Sequence, residues 1–286
     1  MISGTTDIYA VIGDPIEHSL SPVLQNYFMH IFDLDAAYMA LQVRPPDLHT
    51  ALSGMQAMNF KGINVTIPHK TDVLKYCTQC SKLVQTLGAA NTLTFSTKGI
   101  QADVTDPFGF IESMADRKSL FLNANVCILG AGGAARSVLL ALSKLSCAQV
   151  YIYNRTREKA ELLTRESKSF GLEKVSVLSQ HDLHNAIEFC SILINTTSVG
   201  MYPQIEQCPV DDNMLFSENQ FVYDLVYNPV QTRLLQMAAA QGAVVQNGLD
   251  MLIFQGLQSL RIWTGLNLVL TAQQLKRCQT ILKDVL

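Results

Sequence analysis

Short apolar runs alternate along the chain with segments whose apolar residues have helical spacing. Residues 7–12 predict a first strand, and the segment opened by Pro22 predicts a helix to about residue 32. Residues 37–43 predict a second strand, and a third begins the stretch 62–70, Gly-Ile-Asn-Val-Thr-Ile-Pro-His-Lys. Pro68 is expected to open a helix there. The alternation of strands and helices predicts parallel strands with right-handed crossovers, as in an α/β fold.

The second half of the chain begins at about Leu120 and is organised around one glycine motif. Residues 126–129 are wholly apolar, which predicts a strand buried on both faces. The strand runs directly into residues 130–135, Gly-Ala-Gly-Gly-Ala-Ala, and a helical pattern follows. Glycines between a strand and a helix are typical of a dinucleotide site, because the backbone can approach a pyrophosphate and helix N–H groups can bind it. Further strands are predicted at residues 149–153, 175–178, 191–194, 221–225 and 244–246.

Turn and cap signals complete the prediction of elements. Residues 97–99, Thr-Lys-Gly, predict a hairpin between two strands. Asn228 followed by a proline and, three residues on, by Gln231 predicts a helix that starts with a capping box. A long helix is predicted after Gly248, and a last one over residues 271–285.

The composition narrows the class of protein. Hydrophobic residues make up 48% of the 286 residues and charged residues 16%, which suits two modest domains with large cores. The net charge of −3, without a basic run, argues against a nucleic-acid partner. No apolar run reaches the roughly 18 residues that a membrane span needs, and the first residues lack the pattern of a secretion signal. We therefore expect a cytoplasmic protein.

The seven cysteines are scattered, and Cys77 and Cys80 form a C-x-x-C pair. A zinc ribbon needs a second such pair, and a redox motif would open a helix after a strand. We expect these cysteines to be structural and reduced, and we expect no metal site.

Polar side chains at the strand-to-helix junction in residues 62–70 are candidates for a functional site. Period-two alternation places Asn64 and Thr66 on one face, and Lys70 follows where a helix dipole disfavours positive charge. Asn and Thr before a helix are more often caps, and Lys is usually solvated. In open α/β folds, however, such junctions are where ligands bind.

Similar junctions recur along the first half of the chain. Ser19 and Ser21 face the same way if their loop is extended, although Ser21 can equally serve only as a helix cap. Asn91 begins a strand, where a role in a turn is the default, and Asp106 before a proline has the sequence of a cap. In a parallel sheet these junctions would line one edge together.

The strand predicted at residues 149–153 ends in a basic segment without a carboxylate. A site for NAD would place Asp or Glu there to hold the ribose 2′-hydroxyl. A guanidinium such as that of Arg155 binds a 2′-phosphate instead, so the segment favours NADP(H). Residues 195–201 are expected to border the cofactor's ribose or nicotinamide. The residues of the basic segment are Asn154, Arg155, Thr156 and Lys159.

Several motifs follow one another in a specific order. They are His-Ser-Leu-Ser-Pro (18–22), the stretch 62–70, Gly-Ala-Ala-Asn-Thr-Leu (88–93), Thr-Asp-Pro-Phe-Gly-Phe (105–110), Gly-Ala-Gly-Gly-Ala-Ala-Arg (130–136), Asn-Arg-Thr (154–156), Asn-Thr-Thr-Ser-Val-Gly-Met (195–201), Asp-Leu-Val-Tyr-Asn-Pro (224–229) and residues 248–256. With these motifs the chain resembles the shikimate dehydrogenases over nearly its whole length. The resemblance implies NADPH-dependent reduction of 3-dehydroshikimate to shikimate, in the route to chorismate and aromatic amino acids.

The resemblance also implies a fold and a set of roles. It implies an N-terminal α/β substrate domain with a parallel-type sheet, an NADP-binding Rossmann domain, and C-terminal helices that return to the first domain, with the active site in the cleft. The catalytic pair would be Lys70 and Asp106. Ser19, Ser21 and Tyr227 would hold the substrate carboxylate, and Asn64, Thr66, Asn91 and Gln255 its ring hydroxyls. The cofactor would contact Gly130, Ala131, Gly132, Gly133, Ala134, Asn154, Arg155, Thr156, Lys159, Thr197 and Gly248.

The expected domains are residues 1–106, 107–247 and 248–286, in a monomer or homodimer that binds a small-molecule substrate.

Two departures from the family pattern matter. Val104 and Pro107 flank the Thr-Asp pair where the family usually has Asn and Gly, and Gln25 stands where His is frequent. Val104 leaves open a quinate or related cyclohexane-polyol dehydrogenase, and a non-catalytic NADP-binding sensor that kept the fold is a separate alternative.

Overall fold

The computed structural model describes residues 2–286, which form two compact units. One unit comprises the chain up to Gly109 together with Ile253–Val285, and the other comprises Phe110–Leu252. The C-terminal helices therefore group with the N-terminal part of the chain. In residues 2–286 none of the helices has both the length and the apolar character that crossing a bilayer requires.

The first unit contains a six-stranded sheet in the order β2-β1-β3-β5-β6-β4. β1 pairs in parallel with β2 and β3, as the alternation of elements predicts. β5 is antiparallel to β6, because the hairpin predicted at residues 97–99 reverses the chain, and it is also antiparallel to β3. The sheet is therefore mixed rather than parallel throughout. Its strands are β1 (Asp7–Gly13), β2 (Ala36–Gln42), β3 (Gly62–Val65), β4 (Gln79–Cys80), β5 (Thr92–Ser96) and β6 (Gly99–Asp103).

Helices flank this sheet, and one predicted helix start is wrong. Pro68 opens a turn rather than a helix, and the residues after it form only the short 3₁₀ helix Asp72–Tyr76. The turn is closed by the N–H of His69, which donates to the carbonyl of Thr66 at 2.9 Å. Such a three-residue spacing satisfies the backbone without an α-helical turn. The helices are α1 (Ser21–Ile31), α2 (Leu48–Ala57), α3 (Lys82–Leu87) and α4 (Asp106–Ser113), which begins in this unit, and a further 3₁₀ helix covers Pro45–Asp47.

The second unit contains a sheet in the order β12-β11-β10-β7-β8-β9, in which every neighbouring pair is parallel. The strand order reverses between β7 and β10, and the carboxyl ends of strands at such a reversal are where open α/β sheets bind ligands. The strands are β7 (Asn125–Leu129), β8 (Gln149–Tyr153), β9 (Val175–Val177), β10 (Ile192–Asn195), β11 (Phe221–Asp224) and β12 (Val244–Asn247).

The helix expected to start near Asn228 begins later, with Thr232 as its cap. The hydroxyl of Thr232 accepts from the N–H of Leu235, so the predicted capping box does not form there. A capping box occurs instead at the last helix, between Thr271 and Gln274. The helices of this unit are α5 (Gly133–Leu142), α6 (Arg157–Ser167), α7 (Leu183–Phe189) and α8 (Arg233–Ala240), with 3₁₀ helices at Ala115–Phe121 and Lys168–Phe170.

Two long helices close the chain, α9 (Leu249–Thr264) and α10 (Ala272–Lys283). Side-chain hydrogen bonds tie α9 to the first unit. The amide of Gln25 donates to the carbonyl of Gly256 at 2.8 Å, and the indole N–H of Trp263 donates to the carbonyl of Leu93 at 3.0 Å. Through Trp263, α9 lies against β3 and β5, since a Cβ at Gly62 would come within 2.2 Å of the indole Nε1.

Candidate active site

An ion pair joins the two residues for which the sequence predicts catalysis. Lys70 Nζ donates to Asp106 Oδ2 at 2.7 Å, and the two residues are 36 positions apart in the chain. Lys70 lies in the turn after β3, where its carbonyl accepts from the N–H of Ala90 at 2.8 Å. The neighbouring His69 is buried, and its Nε2 donates to the carbonyl of Val43 at 2.6 Å. These bonds fix the turn and so place the ammonium group beside the carboxylate.

The second oxygen of Asp106 is held by Asn91. The Asn91 amide donates to Asp106 Oδ1 at 2.7 Å, and its Oδ1 accepts from the backbone N–H of Thr105 at 2.9 Å. The amide is thereby oriented with its donor towards the carboxylate. Asn91 and Asp106 do more than cap or turn the chain, because their side chains bond to each other.

Asn64 lies deeper in the same cluster and is almost fully buried. Its Nδ2 donates to Ser259 Oγ at 2.9 Å and to the carbonyl of Asn91 at 3.0 Å. Its Oδ1 accepts from the hydroxyl of Tyr38 at 2.7 Å. Because the amide hydrogens are used by protein acceptors, Asn64 can meet a substrate hydroxyl only through the remaining lone pair of its Oδ1.

Gln255 bonds to this cluster, whereas the bonds of Thr66 are to residues outside it. Gln255 Oε1 accepts from the Asn91 amide and from the Thr105 hydroxyl, each at 3.4 Å. Thr66 is half-buried in the segment directly after β3, and its N–H donates to the carbonyl of Ile12 at 2.9 Å. The structure therefore gathers Asn64, Asn91 and Gln255 around the ion pair.

Ser19 and Ser21 are half-buried at the start of α1. Ser21 is the first residue of the helix, and its hydroxyl caps no helix N–H, so the alternative role as a cap is wrong. Its backbone N–H donates to Ser19 Oγ at 3.4 Å. Tyr227 belongs to the second unit, where burial raises the pKa of its hydroxyl.

Tyr38, Thr92 and Ser259 also join the cluster, and of these three only Ser259 has a local signal. Ser259 lies one helical turn after Gln255, so the helical spacing alone places both on one face. Thr92 bonds to Ser259 at 2.9 Å across 167 positions of the chain, and Tyr38 bonds to Asn64 across 26. Contacts of this kind depend on the tertiary fold, which a single sequence does not encode locally.

The glycine turn of the second unit has the shape that a pyrophosphate requires. Gly130 has φ +107°, and a Cβ there would lie 2.6 Å from Thr196 Oγ1. A Cβ at Gly132 or Gly133 would meet no atom within 4 Å, so open space faces both residues. α5 starts at Gly133 and has no side-chain cap, which leaves its first N–H groups to bind an anion. These residues fit a dinucleotide.

The basic segment after β8 divides into a structural and an exposed part. Asn154 Oδ1 accepts from the N–H of Ala131 at 3.1 Å, and its amide donates to the carbonyl of Thr156 at 2.8 Å. Asn154 therefore holds the glycine turn in place. Arg155, Thr156 and Lys159 are exposed at the start of α6, whose cap residue Thr156 makes no cap hydrogen bond. A 2′-phosphate fits this uncapped, basic helix start.

Two other predicted cofactor residues have structural contacts of their own. The Thr197 hydroxyl donates to Asn195 Oδ1 at 2.7 Å, which orders the loop after β10. A Cβ at Gly248 would come within 1.9 Å of the carbonyl oxygen of Leu225, so glycine is required there by the close packing of two backbone segments. Contact of either residue with a cofactor stays a prediction.

Comparison with known proteins decides the family. Residues 11–93 match the family model described as the shikimate dehydrogenase substrate binding domain, and residues 113–225 match the model described as shikimate / quinate 5-dehydrogenase. The chain is 36% identical over 266 residues to the shikimate dehydrogenase (NADP(+)) of Moorella thermoacetica, which covers 92% of this chain and 90% of that protein. The chain belongs to the shikimate dehydrogenase family.

Solved structures agree with this family. The shikimate 5-dehydrogenase of Thermus thermophilus, in complex with NADP(H) and shikimate, is 30% identical with a TM-score of 0.85, and the match covers 98% of this chain and 100% of that one. The quinate dehydrogenase of Corynebacterium glutamicum, in complex with NAD, is 25% identical with a TM-score of 0.86 over 96% of this chain and 98% of that one. The predicted family, fold class and enzyme class, an NADP-type shikimate dehydrogenase, are confirmed.

Both departures from the pattern of the shikimate dehydrogenase family are buried. Val104 contributes no polar side-chain atom beside the Thr105–Asp106 pair. Gln25 is 1% exposed, and within residues 2–286 its Oε1 has no hydrogen-bond partner. Neither change removes Lys70 or Asp106, the predicted catalytic pair.

Asp224 at the end of β11 makes stability depend on pH. Its carboxylate accepts from the Thr232 hydroxyl at 2.6 Å and the Asn195 amide at 2.9 Å, but burial dominates and raises its pKa from 3.8 to about 6. The folded protein therefore binds this proton more tightly than the unfolded chain. As the pH rises from about 4 to about 6, the free energy of unfolding should fall by about 3 kcal/mol because of this group alone.

Urea unfolding across that pH range checks this prediction in the wild type and in Asp224→Asn, whose side chain does not titrate. The difference between their free energies of unfolding should shift by about 3 kcal/mol between about pH 4 and pH 6. Asp211→Asn, at an exposed position in the same unit, controls for the loss of one surface charge. A pH-independent difference for Asp224→Asn would contradict the prediction.

Proposed function

We propose that this protein catalyses the reversible, NADPH-dependent reduction of 3-dehydroshikimate to shikimate. The observation that carries the proposal is the 2.7 Å pair of Lys70 and Asp106 inside a cluster of neutral polar side chains. An amine and a carboxylate in contact suit proton transfer to a ketone oxygen. Membership of the shikimate dehydrogenase family supports this reaction.

Reduction of a ketone adds a hydride to carbon and a proton to oxygen. NADPH supplies the hydride when it is bound. The ammonium group of Lys70 stabilises the negative charge that develops on the ketone oxygen and donates the proton that completes the alcohol. Asp106 holds the ammonium group in place and accepts a hydrogen bond from a neighbouring substrate hydroxyl. In the reverse direction Lys70 accepts the proton from the shikimate hydroxyl.

The neutral side chains suit a ring that carries several hydroxyl groups. Each hydroxyl taken from water needs a partner, since an unpaired buried polar group costs about 1–3 kcal/mol. Asn64 and Gln255 present oriented amides, and Ser19 and Ser21 present hydroxyls at the start of α1. The serines are assigned to the carboxylate because the N-terminal end of a helix favours an anion.

NADP would be held by the second unit. The glycine turn around Gly132 would hold the pyrophosphate, and Arg155 would pair with the 2′-phosphate through its two parallel N–H donors. Arg155→Asp should therefore raise KM for NADPH at least tenfold, because it replaces the attraction with repulsion, and should leave KM for NADH unchanged or lower.

Steady-state kinetics that give KM for NADPH and for NADH test this prediction. Arg165→Asp is the matched control, because Arg165 is also exposed on α6 but lies at its far end. An unchanged ratio of kcat/KM values for the two cofactors in Arg155→Asp would remove Arg155 from cofactor recognition.

The proposed function is tested with purified protein, 3-dehydroshikimate and NADPH, followed by the loss of NADPH absorbance. The reverse assay compares shikimate with quinate, each with NADP and with NAD. We expect the highest kcat/KM for shikimate with NADP. Tight binding of NADPH without turnover of any substrate would support the non-catalytic sensor instead.

Quinate is the second candidate substrate. The description of the matched family model includes quinate, and the buried Val104 removes an amide next to the catalytic aspartate. A kcat/KM for quinate above that for shikimate would favour quinate as the substrate.

We also propose that the enzyme acts in the cytoplasm, where its seven free cysteines would stay reduced.

A further inference from the structure

A buried amide side chain, that of Asn195, lies at the carboxyl end of β10. Asn195 is the last residue of this strand and is 0% exposed. The loop that follows packs on the glycine turn, where the hydroxyl of Thr196 donates to the carbonyl of Leu129 at 2.7 Å. A Cβ at Gly130 would lie 3.0 Å from Thr197 Cγ2. The loop that Asn195 begins therefore borders the predicted dinucleotide site.

The direction of the Asn195 amide is fixed from both sides. Asp224 Oδ1 accepts from the backbone N–H of Val226 at 3.0 Å, so the part of Asn195 that faces this oxygen at 2.9 Å is its NH₂ group. On the other side, Asn195 Oδ1 accepts from the backbone N–H of Thr197 at 3.0 Å. Because a backbone N–H can only donate, both bonds require the same orientation of the amide. The hydroxyl of Thr232 donates to the second oxygen of Asp224 at 2.6 Å and so holds the carboxylate.

This orientation determines what the hydroxyl of Thr197 can bind. The hydroxyl donates its proton to Asn195 Oδ1 at 2.7 Å, and its oxygen accepts from the backbone N–H of Val199 at 3.2 Å. A hydroxyl oxygen has two lone pairs, and within residues 2–286 no further group bonds to the second one. A ligand can therefore meet this oxygen only as a hydrogen-bond donor.

The strand order indicates which part of the cofactor that donor belongs to. In the sheet of the second unit, β7 lies between β8 and β10. Arg155, proposed for the 2′-phosphate of the adenosine half, follows β8, and the glycine turn proposed for the pyrophosphate follows β7. A dinucleotide that continues across the sheet in this direction places its nicotinamide riboside half at the end of β10.

We propose that Asn195 is a positioning residue for the cofactor, which orients the Thr197 hydroxyl to accept a hydrogen bond from the nicotinamide riboside half of NADP. The inference rests on the proposed function, because it concerns the cofactor of that reaction. Without the amide of Asn195, the hydroxyl proton of Thr197 loses its fixed acceptor. The hydroxyl can then rotate, and it no longer presents a lone pair to the cofactor.

The test measures the Kd for NADPH by fluorescence titration, without substrate, in Thr197→Val and Asn195→Ala. Each variant should raise this Kd about tenfold, as expected for the loss of one hydrogen bond. Thr197→Ser keeps the hydroxyl, and its Kd should stay within about twofold of the wild-type value. The Kd for adenosine 2′,5′-bisphosphate, which lacks the nicotinamide half, should not change in any of these variants.

Gln220→Ala is the matched control. Gln220 is also a buried amide, 3% exposed, but it lies directly before β11, at the opposite end of the parallel strands. Its Nε2 donates to the carbonyls of Ile187 and Cys190 at 2.6 and 2.8 Å, so its loss should lower the melting temperature as that of Asn195 does. The Kd for NADPH should keep its wild-type value in Gln220→Ala. Asn195→Leu, which fills the volume of the amide, takes the place of Asn195→Ala if the alanine variant does not fold.

The double variant Asn195→Ala/Thr197→Val completes the test. If Asn195 acts through Thr197, its Kd for NADPH should equal that of Thr197→Val alone. Effects that multiply would overturn the inference, and so would an unchanged Kd in Thr197→Val or an equal rise for both ligands. A wild-type protein that binds NADPH but turns over no shikimate refutes the proposed function and leaves this inference standing, so the two failures are distinguishable.

Discussion

Replacement of Lys70 by alanine should lower kcat for shikimate oxidation by about 100-fold or more, as expected for loss of an acid–base group. Among residues 2–286, the Lys70 ammonium group is the proton donor bonded to Asp106 Oδ2, at 2.7 Å. Water that enters its place carries no positive charge, so the developing charge on oxygen loses its stabilisation as well as its proton. KM should change less, because the hydroxyl-binding side chains remain.

Folding should be nearly unaffected by the same change. The Lys70 side chain is 32% exposed, and a partly exposed ion pair contributes little to stability. The Asn91 amide continues to hold Asp106, so the carboxylate keeps a donor.

The control is Lys75→Ala. Lys75 forms an ion pair with Asp72 only a few residues further on, but both side chains are largely exposed. Its loss should leave kcat at the wild-type value, with a similar melting temperature. Wild-type kcat in Lys70→Ala would remove Lys70 from the mechanism, and equal losses in both variants would mean that the assay reports on folding.

The fold follows from the sequence because its main elements are locally encoded. Period-two strands and helical spacing recur in alternation, and a parallel sheet is the arrangement that buries both faces of such strands. The glycine motif at residues 130–135 locates the dinucleotide site within one strand–turn–helix unit. The hairpin at residues 97–99 is also locally encoded, and the antiparallel pairing of β5 with β6 follows from the rule that hairpins reverse a chain.

Helix starts were harder to predict, because tertiary contacts compete with local signals. Pro68 has the sequence of a first helical residue, yet the turn is held by His69, whose ring bonds to Val43 of another segment. The helix expected at Asn228 starts four residues later than its cap signal, where Thr232 bonds both to the helix and to the buried Asp224. In both cases a bond to a residue outside the expected helix outweighs a propensity of about 1 kcal/mol.

The candidate site shows the same limit. The sequence identifies polar residues at junctions such as Asn64 and Asn91, but not the direction in which their amides point. For Asn64 that direction is set by the carbonyl of Asn91, 27 positions away, which can only accept and therefore faces the NH₂ group. A predicted substrate-binding residue such as Asn64 can therefore only accept a hydrogen bond from the substrate, and the residue type alone does not reveal this.

Asp106→Asn should also reduce kcat by about 100-fold or more, for a reason specific to the geometry. The carboxylate accepts on both oxygens, from Lys70 at one and from Asn91 at the other, each at 2.7 Å. An amide has one acceptor and one donor. Whichever way it turns, its NH₂ group faces either the Lys70 ammonium or the Asn91 amide, and two donors repel.

A double-mutant cycle and a matched control make this second prediction specific. Asp72→Asn breaks the exposed Lys75 pair by the same chemical change and should leave kcat unchanged. Since Lys70 and Asp106 act as one unit, the loss of kcat in the double variant should be close to that of the more damaging single variant. If the two losses multiplied, each residue would act separately, and the 2.7 Å pair would have no joint role in catalysis. The cycle therefore tests the contact between Lys70 and Asp106 itself, because two residues that act independently would give losses of kcat that multiply.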